Sequence, residues 1–557
     1  MSLHHITQRE KIIVMLAVMS GLFLVALDQT IIATALGAIV KEFDSFSSLG
    51  FIVTAYLLTS TVTVPLAGKL SDMYGRRPIL LGGVIIFSLA SLFGGLAPSV
   101  EWLIALRAIQ GIGGGMIMAN AFTIIGDLFT PKERGKWQGM IGAVFGMSSV
   151  IGPLLGGWLT DNQQIVGLTT DWRWTFFINV PIGIVAAYVI ARHAPDTKHA
   201  KSHTPDYPGA IFITIALASL VLSVDNTETI FKGLIDNGMS VEFIKGTLMT
   251  IAVTAGALFV AAERKAKEPI LPLRFFKKRT FSLMVVATLL FGAAFLGAIL
   301  YLTQFNQQVF GASASNAGLM LLPMMGGMMV SSIGIGQVVS RTGRYKRFIL
   351  TGFTFAALSI LALVTLHPDS PYWHEAVIMT FAGLGMGMAM PILNLAVQNE
   401  FHQEDLGAAT SSVQLFRGLG STIGTALMSG ILTTGILSSI ANPAAIPYIQ
   451  TIQQSPEGSK MIGDKITADT LLQVNAQKQT IKDSATTAID TAPISEAAKN
   501  EQKSTFLKQQ GEFGDQVIAA FTKSLHTIFI ISSILMVIAL AFASFIKEKK
   551  LRDTPHL

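Results

Sequence analysis

The chain has 557 residues, of which 51% are hydrophobic and only 13% charged. Soluble domains carry about 25% charge, so most of this chain must lie in lipid, and its net charge of +6 points to membrane topology, with no nucleic-acid partner. The absence of cysteine excludes disulfides, thiolate metal sites and cysteine catalysis.

Runs of roughly 18–25 apolar residues suffice to cross a bilayer as helix, and none shows the strict alternation of a barrel strand. They predict an all-α integral membrane protein with fourteen helices near 12–36, 50–70, 78–97, 102–126, 137–160, 174–192, 208–224, 246–263, 281–304, 316–338, 347–366, 375–398, 407–437 and 524–546. The first run could be mistaken for a signal peptide ending at Ala33-Thr-Ala35. It is long enough to span, Asp28 interrupts it, and it reads as a retained first helix.

Loop charges alternate along the chain. Lys69, Arg76 and Arg77 follow helix 2, Lys132, Arg134 and Lys136 follow helix 4, and Arg192, Lys198 and Lys201 follow helix 6. Seven basic residues between Arg264 and Arg279 follow helix 8, four from Arg341 to Arg347 follow helix 10, and Lys547, Lys549, Lys550 and Arg552 follow helix 14. The opposite loops are nearly bare, so both termini are expected in the cytoplasm. Residues 438–523 form a long polar loop that parity places outside. Within it Phe506, Leu507, Phe513, Val517, Ile518 and Phe521 recur at helical spacing. They predict an amphipathic helix lying on the outer surface or packing on the rest of the protein. Asp225, near the outer end of helix 7, reads as interfacial.

The chain repeats itself. Gly68-Lys-Leu-Ser-Asp72-Met-Tyr-Gly75-Arg76-Arg77-Pro78 returns as Gly336-Gln-Val-Val-Ser340-Arg-Thr-Gly343-Arg344-Tyr-Lys346. Phe129-Thr-Pro-Lys-Glu133-Arg134-Gly135 returns as Phe401-His-Gln-Glu-Asp405-Leu-Gly407, and Gly111, Gly113 and Gly115 as Gly383, Gly385 and Gly387, both 272 residues on. Helices 1–6 therefore correspond to helices 9–14, with helices 7 and 8 inserted. An even number of helices separates the copies, so they are parallel repeats about an axis along the membrane normal. The expected units are 1–200, a first six-helix bundle; 201–280, the inserted pair and a basic cytoplasmic linker; and 281–557, a second six-helix bundle carrying the 438–523 loop.

The motifs resemble those of the major facilitator superfamily. The turn at 68–78 resembles its shared loop signature, and Leu106-Arg107-Ala-Ile-Gln110-Gly111 its helix-4 arginine motif. Gly146-Met-Ser-Ser-Val-Ile-Gly152-Pro153-Leu-Leu-Gly156-Gly157 is similar to the helix-5 motif of its proton-coupled exporters. Leu27-Asp28-Gln-Thr30-Ile-Ile-Ala-Thr-Ala-Leu36, the Trp172–Gly183 segment and Arg417-Gly-Leu-Gly420 resemble the fourteen-helix drug:proton antiporter branch. One departure is Gly37, where a proline is common. The resemblance implies the superfamily fold and export by alternating access, with protons and small molecules as partners and the proton gradient in place of any cofactor.

An aspartate at mid-bilayer costs about 2.5–3.5 kcal/mol on insertion scales. Desolvation favours the neutral acid and a nearby cation the carboxylate. Asp28 can thus carry a proton or face a cationic substrate, each disfavouring the other, which suffices for antiport. Arg107 stays charged and is expected to hold Asp28 ionised or to push its proton off; the alternative is snorkelling to the outer interface. Thr30, Gln110, Asn179, Gln304, Asn306 and Asn394 are the further candidates for a substrate cavity, the alternative being interhelical glue. Gly146, Gly152, Gly156 and Gly157 with Pro153 predict a kinked helix 5 packed closely on the other half. Gly68, Asp72, Gly75, Arg76, Arg77, Asp127, Glu133 and Arg134 are the candidate cytoplasmic gating network. Ser340 replaces Asp72 in the second copy, so the gate should be asymmetric.

The leading functional expectation is a proton-driven exporter of amphipathic or cationic compounds in the cytoplasmic (inner) membrane. The alternatives are a dedicated exporter of a lipid, fatty acid, siderophore or similar molecule, with the outer loop shielding substrate or docking an envelope adaptor, and a sensor that has lost transport. No P-loop and no zinc or nucleophile constellation supports an enzyme or an ATP-driven pump.

Overall fold

The structure is a computed structural model, and it describes residues 7–43, 49–160, 163–165, 167–194, 206–224, 227–312, 314–440, 442–463, 466–493 and 495–551. Asp225, Lys198, Lys201 and Arg552 lie outside the described residues. The described chain is almost entirely helical. Its one sheet is a two-strand hairpin pairing Gln164–Ile165 with Leu168–Thr169.

Among the described residues, fourteen helices are long and apolar enough to cross a membrane. Helix 1 is Gln8–Phe43, helix 2 Leu49–Tyr74, helix 3 Arg76–Gly95, helix 4 Val100–Leu128 and helix 5 Pro131–Thr160. Helix 6 comes in two pieces, Trp174–Phe177 and Asn179–His193. Helix 7 is Tyr207–Val224 and helix 8 Val241–Glu263. Helix 9 is Arg279–Gln308, helix 10 Ala314–Leu319 continued by Leu322–Thr342, and helix 11 Lys346–Ala362. Helix 12 is Tyr372–Gln398, helix 13 Leu406–Ser439 and helix 14 Glu496–Ser544. The starts follow ordinary capping chemistry. Ser99, Ser240 and Ser495 accept a backbone N–H in the first turns of helices 4, 8 and 14, satisfying donors that no helix can satisfy itself. Helix 5 opens on Pro131, where the missing N–H costs nothing.

Helices 1–6 pack among themselves and helices 9–14 do likewise. The halves meet through two pairs of equivalent contacts, helix 5 on helix 10 with helix 2 on helix 13, and helix 5 on helix 12 with helix 4 on helix 13, as a parallel repeat requires. Helices 7 and 8 pack on each other, and helix 7 also touches helices 2 and 13. The inserted pair thus lies at one seam between the halves and leaves the other seam alone.

Helix 14 is much longer than its hydropathy indicates. It is continuous over 49 residues, about 74 Å at 1.5 Å per residue, more than twice the ~30 Å hydrocarbon core. The amphipathic segment expected within 438–523 is its outer half. That half packs on the short helices Pro447–Gln453, Ala468–Ala476 and Lys478–Thr491. Tyr448 packs at a tilt against Phe506 and Phe513 with ring centroids 5.4 and 5.1 Å apart, and Gln510 Nε2 donates to the Tyr448 hydroxyl at 2.7 Å. Burial pushes the Tyr448 phenol above its ordinary pKa. One apolar stripe with its own partners holds this part of the helix in water, so a membrane-length hydropathy window misses it.

Candidate functional site

Five helices of the first half converge on Asp28, which is 1% exposed. Arg107 Nη1 on helix 4 donates to Asp28 Oδ2 at 2.5 Å, and Gln110 Nε2, one turn further in, donates to Oδ1 at 2.8 Å. Asn179 Nδ2 on helix 6 lies 3.3 Å from the same oxygen and 3.0 Å from Ser91 Oγ on helix 3. Arg107 also donates to Gln110 Oε1 at 2.9 Å, and its guanidinium lies 4.4 Å from the centroid of the Tyr56 ring on helix 2. The arginine is 1% exposed, so it does not snorkel. Removing either member of such a buried pair costs about 3–5 kcal/mol, because the other charge is left alone.

Helix 4 can come this close because it is rich in glycine. A side chain at Gly114 would meet the Tyr56 hydroxyl, and one at Gly111 would meet Thr59 and the Tyr56 backbone. Thr59 Oγ1 uses the gap to donate to Ala108 O at 2.7 Å. Sequence reasoning missed Tyr56 and Ser91. Tyr56 is a lone aromatic in an apolar run, and Ser91 looks like any small membrane residue. Only the pairing of helices shows them facing the site.

The other cavity candidates do not join this cluster. Thr30 Oγ1 donates back to Leu27 O and across to Ser148 O, each at 3.0 Å, which ties helix 1 to helix 5. Asn394 Oδ1 accepts from Gln414 Nε2 at 3.2 Å, a separate pair between helices 12 and 13. Gln304 is half-buried and Asn306 fully buried at the outer end of helix 9.

The glycine strip of helix 5 needs a correction, because it serves two partners instead of one. Toward the cytoplasm Gly135, Gly139 and Gly142 face Gly336 and Ser332 of helix 10, with Gly146 against Met325 beyond them, and Ser332 Oγ donates to Gly139 O at 2.9 Å. Further out, side chains at Gly152 and Gly156 would meet Thr30 and Thr34 of helix 1, in the same half. Gly157 O accepts from Thr160 Oγ1 at 2.9 Å. The Pro153 ring faces Gly318 on the first segment of helix 10. At about 100° per residue, spacings of four, three and four keep Gly135 to Gly146 on one face, and the six-residue step from Gly146 to Gly152 carries the outer glycines round to helix 1.

At the cytoplasmic end, Asp72 Oδ1 and Oδ2 accept from the free backbone amides of Gly407 (3.0 Å) and Ala408 (2.7 Å) at the start of helix 13. The positive end of a helix dipole favours this carboxylate. Arg76 bridges Asp72 at 2.5 Å and Asp127 at 2.8 Å, and all three are buried. Gly75 turns the chain with a φ of 98°, open to glycine at little cost. At Gly68 a side chain would run into Ser411, so helices 2 and 13 touch backbone to side chain. Arg134 donates to Gly126 O at 2.7 Å and to Gln398 O at 3.5 Å, while Gln138 Nε2 reaches Gln398 Oε1 at 2.9 Å. Two candidates stand apart from the cross-half ties. Glu133 caps its own helix through Thr130 N and Oγ1, both at 3.1 Å, and Arg77 donates to Ala191 O of helix 6. The inserted linker joins the same end, with Lys69 Nζ 2.6 Å from Glu268 and Arg274 2.7 Å from Asp405.

Residues 18–425 match the family described as Major Facilitator Superfamily. The chain is 38% identical over 445 residues to the multidrug transporter protein MdtP of Bacillus subtilis, covering 80% of this chain and 79% of that protein. It is 35% identical to multidrug resistance protein 3 of the same organism, covering 77% and 81%. Among solved structures, the proton:xylose symporter XylE superposes with a TM-score of 0.59 at 14% identity, over 97% of each chain. Matching family, parallel halves and fourteen spans agree: the chain is a multi-pass membrane transporter of the Major Facilitator Superfamily.

Proposed function

We propose that this transporter is a proton-driven multidrug exporter of the cytoplasmic membrane, in which Asp28 exchanges a proton against amphipathic or cationic compounds. The observation that carries the reading is the sealed Asp28–Arg107–Gln110–Asn179 constellation. Helices 4 and 6 direct three polar side chains at one carboxylate of helix 1, and a proton on that carboxylate would cancel its attraction to Arg107. Losing that pairing loosens helix 1 from helix 4, which couples protonation to movement of the helices. A cationic compound offers the carboxylate a replacement partner, so proton and substrate compete for one group. The names of the Bacillus relatives support multidrug export as the class of work.

Asp28→Asn keeps the shape and hydrogen-bonding capacity but removes the titratable group. It is expected to abolish efflux of a cationic dye driven by a proton gradient in inverted vesicles, with the protein still folded. Undiminished efflux by this variant would remove Asp28 from the coupling step.

One observation favours a second reading, a dedicated exporter of an acidic physiological molecule. Arg417 lies three turns into helix 13, half-buried, and among the described residues it has no hydrogen-bond or ion-pair partner. Neighbouring Gly418 has open space where a side chain would stand. An unanswered guanidinium at that depth suits a carboxylate or phosphate on the substrate. A panel of cationic, neutral and acidic compounds in proteoliposomes separates the readings, since Arg417→Gln impairs only acidic substrates if the second holds.

A further inference from the structure

The second half holds a buried carboxylate that the scheme above does not use. Glu375 lies one turn inside the outer end of helix 12 and is 0% exposed. Among the described residues neither of its carboxyl oxygens makes a well-formed hydrogen bond, and no ion pair includes it. Asn306 on helix 9 lies beside the carboxyl. It is also 0% exposed, and its amide nitrogen and oxygen are both without partners. Tyr372, on the same helix as Glu375, is the titratable group within its electrostatic range, and its hydroxyl already donates to Met320 O at 2.8 Å. Helices 5, 9, 10, 11 and 13 all pack on helix 12, yet among the described residues none brings a charged group against Glu375.

The four orphaned atoms fit one protonation state. A neutral carboxylic acid offers one O–H donor and one carbonyl acceptor, and a carboxamide offers the complement, an N–H donor and a carbonyl acceptor. The two can form a reciprocal pair. An ionised carboxylate could only accept, leaving the Asn306 oxygen facing a negative charge with no cation to offset it, in a place that water does not reach. The pair also echoes the first half. Helix 9 and helix 12 correspond to helix 1 and helix 4, and Met379, the counterpart of Arg107, is one turn from Glu375. Each half therefore sets a carboxylate between its first and fourth helices, and only the first half answers it with an arginine.

We propose that Glu375 is a second proton-binding site, in the half without an acid–arginine pair, with Asn306 as its positioning residue. The site loads its proton from the outer side, one helical turn away. Proton binding at Glu375 stands independently of the export reading; the use of that proton to drive transport rests on it.

Infrared difference spectroscopy of the full chain in lipid nanodiscs tests the site, through the C=O stretch of buried protonated carboxyl groups. Expected is one protonated-acid band that disappears in Glu375→Gln, persists in Asp28→Asn, and shifts to higher frequency in Asn306→Leu as its hydrogen bond is lost. Glu375→Gln should also lower the protons moved per substrate in proteoliposomes without abolishing transport. A spectrum unchanged by Glu375→Gln overturns the site, whatever the transporter exports. An unchanged proton ratio with the band lost overturns its part in coupling. Full transport by Asp28→Asn overturns the export scheme and leaves the infrared result standing. Should Glu375→Gln fail to fold, the band shift in Asn306→Leu still decides the assignment.

Discussion

The two basic turns of this transporter read alike in sequence and do different things in the structure. In the first, Asp72 leaves its own half and caps helix 13 of the other, with Arg76 holding it against Asp127. In the second, Ser340 stands where that aspartate would be, and the turn is clamped within its own half by the C-terminal tail. Glu548 accepts from the amides of Tyr345 and Lys346 at 2.9 and 3.1 Å, Leu551 N donates to Gly343 O at 3.0 Å, and Lys549 pairs with Glu400. Both turns keep the left-handed glycine, Gly75 at 98° and Gly343 at 68°. Backbone shape is thus common to the copies, and the charge that spans the halves belongs to one. A single side chain gives the first turn a tie to the other half that the second turn lacks.

The contrast can be broken at its strongest point. Asp72→Asn leaves Arg76 and the helix 13 amides short of a buried charge, a loss on the order of 3–5 kcal/mol. Ser411 lies against Gly68 across the seam, and the chain has no cysteine of its own. A Ser411→Cys reporter in the Asp72→Asn background should therefore be labelled by a cytoplasmic maleimide at least about tenfold faster, since 1.4 kcal/mol is one decade. Ser340→Asp should leave the rate unchanged.

The next experiment tests what the turns share. Side chains at Gly68 and Gly336 would both meet the opposite half, at Ser411 and Gly135. Gly68→Val and Gly336→Val should each cost about 1–3 kcal/mol of closure by overpacking, raise labelling at Ser411→Cys, and stop transport in a protein that still folds. If only one variant does so, the two seams do not close together.

A smaller effect belongs to the second turn alone. Glu548→Ala removes two backbone hydrogen bonds at an exposed site and should lower thermal stability by about 0.5–1.5 kcal/mol, with labelling at Ser411→Cys unchanged. Faster labelling would make the tail part of the gate.

The smallest effect lies at the outer end of the first half, where Arg173 grips Glu42 at 2.7 and 2.9 Å. The arginine's hydrogen bonds hold the Glu42 carboxyl below its ordinary pKa. Its contribution is complete above the ordinary glutamate value and fades as the pH falls through the lowered one. The pair is part-exposed, so Arg173→Gln should remove no more than about 1 kcal/mol, and melting curves of the two proteins should converge in acid.

Much of this was legible in the chain. Apolar run length set the fourteen spans, and the repeat set their pairing, because lipid leaves a helix no alternative way to satisfy its backbone. Asp28 and Arg107 stood out as charges where charge is costly. Other side chains find partners that the sequence does not name. Glu133 belongs by position to the charge cluster at the cytoplasmic ends of helices 2–5, but its carboxylate turns back onto Thr130. Thr30 sits two residues from Asp28 and points to helix 5 instead. Neighbours in sequence lie about 100° apart around a helix, so proximity along the chain does not predict a shared face.

Sequence alone determined the number of helices, their parallel duplication, the inserted pair and the charges set in lipid, since each follows from local composition and the dimensions of a bilayer. Tertiary structure alone decided which charges meet. It joined Asp28 to Gln110 and Asn179, carried Asp72 across to helix 13, divided the helix 5 glycines between two partners, and left Glu375 facing an amide with no cation. These outcomes depend on how helices rotate and approach, and that is set by side-chain packing between segments far apart in the chain.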